Sequence, residues 1–475
     1  MKTDKVINPA TGEVIAEVKH SDIPKAIEQA HQAFHQGPWP KLSLGERKNY
    51  LLRIAKGMLD KAQELAELET KNTGKPLKES TFMDIPSSIK TFEYFANNLE
   101  RYLSPEEITL EAEGVSHLHY EPRGVTLLIV PWNYPLLIAS WKMAQSLACG
   151  NTILLKPSSL TPLTALMLSE IIQEAGLPEG VVNVLNVRGG EVGPLLCSHP
   201  DIDMISFTGS TSSGKEIMRF ASSNTKKLIM ELGGKSASIV MADCDLEATV
   251  NAALTSIFLN QGQMCTAMSR ILVDKRIAKE FIEQFTEKAK RIKLGNGLDP
   301  ETQMGPLISA EHREGVLSFV EEAKAEGARL LCGGKIPDKA ELNKGFFFEP
   351  AVFTDVKPDM KIFQEEVFGP VVSMLEFSQE EEAVKLANDS SFGLAASIWS
   401  KDLEKAERIS KDICAGTVWI NTYGMFYNEA PYGGFKGSGF GKELGKEGLR
   451  EYCRTKHINS NSLEEKPLVS FWYAF

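Results

Sequence analysis

The stretch VTLLIVPWNYPLLIASWKMAQSLACGNTILLK, residues 125–156, decides the fold class of this chain. Two short and unbroken apolar runs, 125–131 and 151–156, flank a longer apolar segment over 135–150. Apolar strands without polar alternation are typical of a parallel sheet that is covered on both faces, and a longer run between them suits the connecting helix. The stretch therefore predicts a β-α-β unit of an α/β protein.

The alternation of strands and helices continues on the C-terminal side of this unit. A first series of predicted elements occupies residues 162–175, 181–187, 204–208, 211–221 and 226–232. After a Gly-Gly pair at 233–234, a second series runs to about residue 434 and includes 236–241, 246–259, 270–274, 277–291, 371–377, 397–400 and 416–421. Two such series predict two sheets, each covered by its own helices.

Helical periodicity and a hairpin pattern precede the β-α-β unit. Apolar residues at three- and four-residue spacing predict amphipathic helices over 21–35 and 45–72, and the second should end at about Gly74. The segment EITLEAEGVSHLHYEPRG, residues 107–124, alternates polar and apolar residues around Gly114 and predicts a β-hairpin. Because an isolated hairpin leaves unpaired edges, we expect it to pair with another subunit or with the C-terminal strand.

Composition and charge limit the possible functions. The 475 residues correspond to about three units of roughly 150 residues, and 43% of them are hydrophobic. A net charge of −11 argues against nucleic-acid binding, since phosphate recognition needs clustered cations. The sequence shows neither a secretory signal pattern nor an apolar segment long enough to span a bilayer. Seven cysteines without a Cys-x-x-Cys pair indicate reduced thiols, so we expect a cytoplasmic protein.

Two residues are candidates for covalent and acid–base chemistry. Cys265 lies in NQGQMCTA, residues 260–267, where the polar neighbours predict a loop in which a thiol could be exposed. An inert buried thiol is the alternative, and it is the commoner role of a lone cysteine. Glu231 ends an apolar strand in MELGGKS, residues 230–236, where burial would raise its pKa and suit it to act as a general base. The alternative for Glu231 is a salt bridge at the strand end.

Other polar residues lie where predicted strands end. The segment FTGSTSSGKEIM, residues 207–218, joins a strand to a helix whose first N–H groups could hold a phosphate, or it could be only a turn. Lys156 ends NTILLK at the sheet edge where ribose or phosphate groups bind. Asn133 in VPWNYP could donate to an oxyanion or cap the next helix. Glu366 and Phe368 in EEVFGP could bind a ribose and flank a flat ring.

The motifs VPWNYP, KPSSLTP, FTGST, ELGGK, GQMC, EEVFGP and PYGGFKGSG, in this order, resemble the aldehyde dehydrogenase superfamily. The resemblance extends from INPATGEVIAEV at residues 7–18 to the last residues of the chain. It implies an α/β fold with a Rossmann-like cofactor domain, an α/β catalytic domain and a small β-hairpin oligomerisation element. The expected bounds are residues 1–103 and 123–234 for the dinucleotide-binding domain, 235–434 for the catalytic domain, and 104–122 with 450–475 for the oligomerisation element.

The resemblance also implies the oxidation of an aldehyde to its acid with NAD or NADP and without a metal. Cys265 would form a thiohemiacetal and then a thioester, Asn133 and the Cys265 N–H would stabilise the oxyanion, and Glu231 would activate the hydrolytic water. Lys156 would bind the adenosine ribose, and Glu366 the nicotinamide ribose. The remaining residues implied for cofactor binding are Trp132, Ser159, Gly209, Ser210 and Phe368.

Two features depart from common family patterns. Many NAD-preferring members carry a glutamate where this chain has Ser159, so a 2′-phosphate would not be repelled here and NADP use stays open. The nearest subgroup resembles the betaine aldehyde and ω-aminoaldehyde dehydrogenases, on the segments PWNYPLLIASWK, EAPYGGFKGSG and EEKPLVSFWY. Those enzymes hold a cationic head group in an aromatic box. Tyr134 and Trp141 match box positions, whereas Tyr432 and Leu259 stand where tryptophans occur in other members.

The loop TYGMFYNEAPYGG, residues 422–434, is expected to form a wall of the substrate tunnel. Its large side chains, which include Tyr427, favour a bulky apolar or aromatic aldehyde, with betaine aldehyde or an ω-aminoaldehyde as the alternative. They could equally pack at a subunit interface of a homodimer or homotetramer.

Two competing functions share this architecture. One is a CoA-acylating aldehyde dehydrogenase, in which a thiol takes the acyl group, and the other is a non-catalytic member of the family. The presence of Glu231 favours hydrolysis, and Cys265, Glu231 and Asn133 together favour catalysis. The expected partners are therefore a small-molecule aldehyde and further copies of the same chain, but neither nucleic acid nor a membrane.

Overall fold

The N-terminal part of the protein is a small β-hairpin followed by helices. The structure is a computed structural model that describes residues 2–111 and 114–460. The elements before the first sheet are β1 (Thr3–Ile7), β2 (Val14–Lys19), α1 (Ile23–His35), α2 (Leu44–Asp60), α3 (Ala62–Thr73), α4 (Leu77–Glu79), α5 (Ile85–Leu103), β3 (Glu106–Ile108) and β4 (Val115–Pro122). A π-helical turn over Ser80–Asp84 joins α4 to α5.

The prediction of one helix over 45–72 is wrong, because two helices occupy this stretch. Lys61 separates α2 from α3 with φ −106° and ψ 18°, outside helical geometry. The apolar periodicity continues across the break, and both helices pack on α7 (Leu163–Glu174). Helix α2 packs most extensively on α5 and also on α6 (Pro135–Ala148), whereas α3 packs on the π-helical turn over Ser80–Asp84. The break is thus a consequence of tertiary packing, while the predicted end of α3 before Gly74 is confirmed.

A six-stranded sheet contains the β-α-β unit that starts at residue 125. Its further elements are β5 (Val125–Ile129), β6 (Thr152–Lys156), β7 (Val182–Val184), α8 (Gly189–Val192), β8 (Met204–Thr208), α9 (Thr211–Ala221) and β9 (Lys227–Glu231). The strands β9, β8, β5, β6 and β7 lie side by side in this order and are all parallel. Their side chains are mostly buried, which is what the unbroken apolar runs predict.

The second predicted series forms a separate seven-stranded sheet. Its elements are β10 (Ala237–Val240), α10 (Leu246–Phe258), β11 (Arg270–Asp274), α11 (Ala278–Ala289), α12 (Ala310–Ala325), β12 (Arg329–Cys332), β13 (Ala351–Thr354), α13 (Lys361–Gln364), β14 (Val371–Phe377), α14 (Glu380–Asn388), β15 (Phe392–Gly393), β16 (Ala395–Trp399), α15 (Leu403–Asp412) and β17 (Thr417–Ile420). The strand order is β12-β13-β14-β11-β10-β16-β17, and only β12 runs antiparallel to its neighbour. The assignment of the two sheets to a cofactor domain and a catalytic domain stays a prediction.

The C-terminal elements return to the first sheet and to the hairpin. They are β18 (Phe435–Lys436), β19 (Gly439–Phe440), α16 (Gly445–Glu451) and β20 (Cys453–Ser460). Strand β19 extends the six-stranded sheet next to β9, and β20 pairs with the whole length of β4. Pairing of the hairpin with a C-terminal strand, one of the two expected outcomes, is thus confirmed. The expected tail motif EEKPLVSFWY and residues 112–113 lie outside the described residues. No helix within the described ranges is long and apolar enough to cross a membrane.

A buried ion pair ties the C-terminal segment to the first sheet. Lys142 of α6 is fully buried, and its Nζ lies 2.7 Å from Oε1 of Glu443. Lys142 also donates to the hydroxyl of Ser206 on β8, and Gln145 and Tyr452 donate to the Glu443 carboxylate. A buried ion pair is tolerated when further hydrogen bonds satisfy both charges, as they do here.

Replacement of Lys142 should therefore destabilise the protein strongly. Lys142→Met leaves the Glu443 carboxylate buried without its counter-charge, and we expect a loss of about 3–5 kcal/mol in the free energy of unfolding. Urea unfolding followed by tryptophan fluorescence measures this loss. The control Lys279→Met changes an exposed lysine of α11 and should cost less than about 0.5 kcal/mol. Equal stability of the two variants would contradict a stabilising role for the pair.

Candidate active site

Glu231 is the last residue of β9 and is almost completely buried, with 3% of its surface exposed. Neither oxygen of its carboxyl group has a hydrogen-bond partner among the described residues. Burial, together with the nearby Glu443 carboxylate, raises the pKa of Glu231 well above its ordinary value, while Lys142 and Lys442 act in the opposite direction. A carboxyl group in this state has oxygens free to contact water or substrate, and the salt bridge considered from the sequence is absent among these residues.

Cys265 follows a sharp turn at the end of α10. Asn260, Gln261 and Gly262 all have positive φ angles, of 46°, 58° and 71°, so three consecutive residues are in the left-handed region. The thiol retains some solvent contact although protein atoms crowd it on most sides. Burial raises the pKa of Cys265 to about 12, and a hydrogen bond with the Tyr432 hydroxyl, 3.6 Å from Sγ, opposes this rise. The raised pKa favours the neutral thiol in this state, and the residue itself is partly exposed.

The strand that carries Glu231 approaches the cysteine loop very closely. A Cβ atom at Gly234 would lie 2.2 Å from the carbonyl oxygen of Cys265, and one at Gly262 would lie 2.2 Å from the carbonyl oxygen of Gly369. Only glycine permits such backbone approaches. The Gly-Gly pair after β9 is thus needed to bring the predicted base and the predicted nucleophile to one place.

Asn133 is buried beside this loop, with 6% of its surface exposed. Its Nδ2 donates a 2.8 Å hydrogen bond to the carbonyl oxygen of Gln263, two residues before Cys265. The helix-capping alternative is not realised, because Tyr134 occupies the N-cap position of α6 and no side chain caps the helix. One amide hydrogen of Asn133 is therefore used structurally, and the second remains for an oxyanion.

A cavity of about 780 Å³ brings most of the predicted chemistry together. It is lined by Cys265 and Glu231 and by all five residues expected to contact the substrate, namely Tyr134, Trp141, Leu259, Tyr427 and Tyr432. Asn133 and the predicted cofactor residues do not line it. The cavity therefore brings Cys265 and Glu231 together with the residues predicted to contact the substrate, whereas the predicted cofactor residues are not part of its lining.

The loop over residues 422–434 forms one wall of the cavity, as expected. The ring centroid of Phe426 lies 5.8 Å from that of Trp141 and 5.4 Å from that of Tyr432, and the last two are 5.6 Å apart. Met425, Phe426 and Tyr427 are nevertheless 40–54% exposed. Their aromatic contacts favour a role in the wall, while their exposure leaves room for a subunit contact as well.

The predicted phosphate and ribose residues lie along the carboxyl edge of the first sheet. Lys156 ends β6 and is 7% exposed, and burial lowers its pKa to about 8. Ser210 caps α9, its hydroxyl accepting from the N–H of Ser213, and Gly209 donates its N–H to the carbonyl oxygen of Glu231. Ser159 is partly exposed in the loop after β6. A buried lysine and a helix N-terminus at one sheet edge suit the ribose and phosphates of a dinucleotide.

Glu366, Phe368 and Trp132 form a second group of predicted cofactor residues, next to the Gly-Gly pair that follows β9. Oε1 of Glu366 accepts from the N–H of Gly234 at 2.9 Å, and burial raises the pKa of Glu366 to about 7. Phe368 has a φ of 56° and packs against Trp132 with ring centroids 5.2 Å apart. A carboxyl group beside two aromatic rings fits a ribose and a flat nicotinamide ring.

Several residues near the site were not identified from the sequence. Lys142 and Glu443 both line the cavity, and Lys75 holds its Nζ 3.9 Å from the ring centre of Tyr134. The single lysine in the apolar helix α6 indicates from the sequence that a buried ion pair is present, because a buried charge requires a partner. The partner, Glu443, lies 301 positions further along the chain, and no local pattern points to it.

Comparison with known proteins gives an independent assignment. A model of the aldehyde dehydrogenase family matches residues 2–458. Betaine aldehyde dehydrogenase of Bacillus subtilis (strain 168) is 47% identical over 471 residues, which cover 98% of this chain and 95% of that protein. Retinal dehydrogenase 2 of Homo sapiens is 43% identical over 458 residues, covering 95% and 88%.

A solved structure shows the same similarity in three dimensions. The crystal structure of betaine aldehyde dehydrogenase from Staphylococcus aureus in complex with NAD+ superposes with a TM-score of 0.95 at 43% identity, and the match covers 98% of this chain and 93% of that one. The predicted aldehyde dehydrogenase fold is thereby confirmed. Because the family match spans nearly the whole sequence and relatives are 43% and 47% identical, this chain belongs to the aldehyde dehydrogenase family and is an oxidoreductase that acts on aldehydes.

Proposed function

We propose that this enzyme oxidises an aldehyde to its carboxylic acid, with a nicotinamide cofactor as the oxidant and Cys265 as the nucleophile. The observation that supports this most strongly is that a thiol, Cys265, and a buried carboxyl group without a hydrogen-bond partner among the described residues, Glu231, line one cavity. A thiol can take up the substrate covalently, and a carboxylate beside it can generate the nucleophile that releases the product.

In the first half of the reaction, the thiol proton of Cys265 passes to solvent water, Sγ bonds to the aldehyde carbon, and the π electrons of the carbonyl move onto its oxygen. The Tyr432 hydroxyl, 3.6 Å from Sγ, stabilises the developing thiolate. The free amide hydrogen of Asn133 and the N–H of Cys265 donate to the oxygen as it becomes negative. The chemistry that a bound nicotinamide cofactor would supply is the acceptance of a hydride from the substrate carbon. Cys265 then holds the acyl group as a thioester.

In the second half, Glu231 takes a proton from a water molecule, which attacks the thioester carbon and releases the acid and the Cys265 sulfur. The raised pKa of Glu231 favours this role because a stronger base removes a proton from water more readily. Only the ionised carboxylate can act, so this half accelerates as the pH rises above the ordinary range of a glutamate. Retention of Glu231 also favours water over a CoA thiol as the acyl acceptor.

For the substrate, we favour a bulky apolar or aromatic aldehyde. The cavity walls include Leu259, Trp141, Phe426 and Tyr432, which suit an apolar body. The retinal dehydrogenases among the relatives are named for a large apolar aldehyde. Betaine aldehyde is the second candidate, supported by the relatives from Bacillus subtilis and Staphylococcus aureus, although Leu259 supplies no aromatic face for a cation.

We further propose that the enzyme is a homodimer or homotetramer in the cytoplasm. The three-stranded sheet of β3, β4 and β20 leaves strand edges open within the described residues, and such edges favour pairing with another subunit. All seven cysteines are free thiols, which suits a reducing compartment.

The burst of reduced cofactor separates the roles of Cys265 and Glu231. Glu231→Gln should give a burst about equal to the number of active sites, followed by slow turnover, because only hydrolysis of the thioester is impaired. Cys265→Ala should show neither burst nor turnover while it still binds the cofactor. Stopped-flow absorbance of the reduced nicotinamide measures both variants, and Cys414→Ala, at an exposed cysteine, is the control. Loss of the burst in Glu231→Gln would instead assign Glu231 to thiol activation.

Cofactor choice should depend on Ser159. We propose that wild type accepts both NAD and NADP, because no carboxylate opposes the 2′-phosphate at this position. Ser159→Glu should lower kcat/KM for NADP about tenfold more than for NAD, since like charges a few ångströms apart cost about 1 kcal/mol at a wet surface and more when desolvated. Ser159→Ala is the neutral control and should leave the ratio of the two values unchanged. A wild-type enzyme without NADP activity would contradict the proposal.

Substrate preference should respond to an aromatic side chain at position 259. An added aromatic face contributes about 0.5–2 kcal/mol to the binding of a cation, so Leu259→Trp should raise kcat/KM for betaine aldehyde roughly tenfold. Efficiency with benzaldehyde should fall, because the larger ring narrows the cavity. Leu259→Met controls for side-chain size without a ring. The measurement compares benzaldehyde, a medium-chain alkanal, an aminoaldehyde and betaine aldehyde. Wild-type preference for betaine aldehyde, or for small polar aldehydes, would refute the apolar assignment.

A further inference from the structure

A cluster of buried ionisable side chains packs against the loops that carry Asn133 and Cys265. Its centre is Lys75, which is fully buried and donates a 2.6 Å hydrogen bond to Asp84. Two further carboxyl groups, Glu69 and Glu79, are 0% and 5% exposed. The mechanism proposed above uses none of these side chains, and burying four ionisable groups requires a compensating role or interaction.

Glu79 contacts the turn that precedes the nucleophile. Its Oε2 accepts a 3.0 Å hydrogen bond from the N–H of Asn260, which is completely buried. Asn260 and Gln261 have left-handed φ angles, which residues with a Cβ adopt only when surrounding contacts hold them. The hydrogen bond from Glu79 is therefore one of the contacts that maintain this turn.

The side chain of Asn260 connects the turn to Asn133, whose side-chain amide is the proposed oxyanion donor. Its Nδ2 donates to the carbonyl oxygens of Asn133, at 2.9 Å, and of Gln263, at 3.3 Å. Asn133 in turn donates through its own Nδ2 to the carbonyl of Gln263. The three residues form a closed set of hydrogen bonds, so a displaced Asn260 backbone would displace the Asn133 amide.

We propose that Glu79 is a positioning residue for the oxidation of the aldehyde, and that it acts through Asn260 to aim the side-chain amide of Asn133. The proposal rests on the oxyanion role proposed for Asn133. Burial raises the pKa of Glu79 to about 8, so the group is mostly a neutral acid at pH 7. The turn thus needs the acceptor oxygen of Glu79 and not its charge.

A matched pair of variants separates these two properties. Glu79→Gln keeps an acceptor oxygen of similar reach, and we expect kcat within about twofold of wild type. Glu79→Leu fills a similar volume without an acceptor and should lower kcat by ten- to a hundredfold, with little change in the KM for the cofactor. Thermal unfolding of each variant verifies the fold. A large loss of kcat in folded Glu79→Gln, or none in Glu79→Leu, would overturn the proposal.

A double-mutant cycle tests the route through Asn133. Asn133→Ala should lower kcat about a hundred- to a thousandfold, as expected for an oxyanion donor. If Glu79 acts through this amide, adding Glu79→Leu to Asn133→Ala should cost no more than about threefold further. Asp274→Leu is the control, because this buried carboxylate accepts from Arg276 and not from the turn, and any effect it has should multiply with that of Asn133→Ala. If the losses of kcat from Glu79→Leu and Asn133→Ala multiply in the double variant, the positioning role of Glu79 is overturned but the oxyanion role of Asn133 is not. Full activity of Asn133→Ala would overturn both roles.

Discussion

The close approach of the backbone at Gly234 to the carbonyl oxygen of Cys265 is the contact on which the site depends. A Cβ atom at this position would lie 2.2 Å from that oxygen, so any other residue would push the two segments apart. Gly234 follows the strand that ends at Glu231, and its N–H also binds Glu366. One tight contact therefore places the predicted base Glu231, the predicted nucleophile Cys265 and the carboxyl group of Glu366 around the same loop.

Burial then determines the chemical state of the groups that meet there. Removal of water raises the pKa of both the Cys265 thiol and the Glu231 carboxyl, so each favours its neutral form before reaction. Burial thus opposes ionisation at both positions. The buried pair of Lys142 and Glu443 borders the same cavity and shows that the protein can hold full charges there when they are paired.

Part of the cavity wall comes from a different kind of segment than the two predicted catalytic residues. Cys265 and Glu231 belong to segments fixed by strands and glycines, whereas Phe426 and Tyr427 belong to a partly exposed loop. A loop tolerates changes in side-chain size that a sheet does not. This separation explains how one scaffold can serve betaine aldehyde in some relatives and retinal in others, as their names indicate.

The sequence by itself determined the parallel strands, because apolar runs as short as 125–131 that alternate with helical segments are typical of a sheet covered on both faces. It also determined the family, through ordered motifs around Asn133, Glu231 and Cys265. Tertiary structure alone decided the break at Lys61, the pairing of Lys142 with Glu443 and the contact of Glu79 with Asn260. Local periodicity carries no information about residues 181 or 301 positions apart. Such contacts arise only when packing brings distant segments together and removes water from the charges between them.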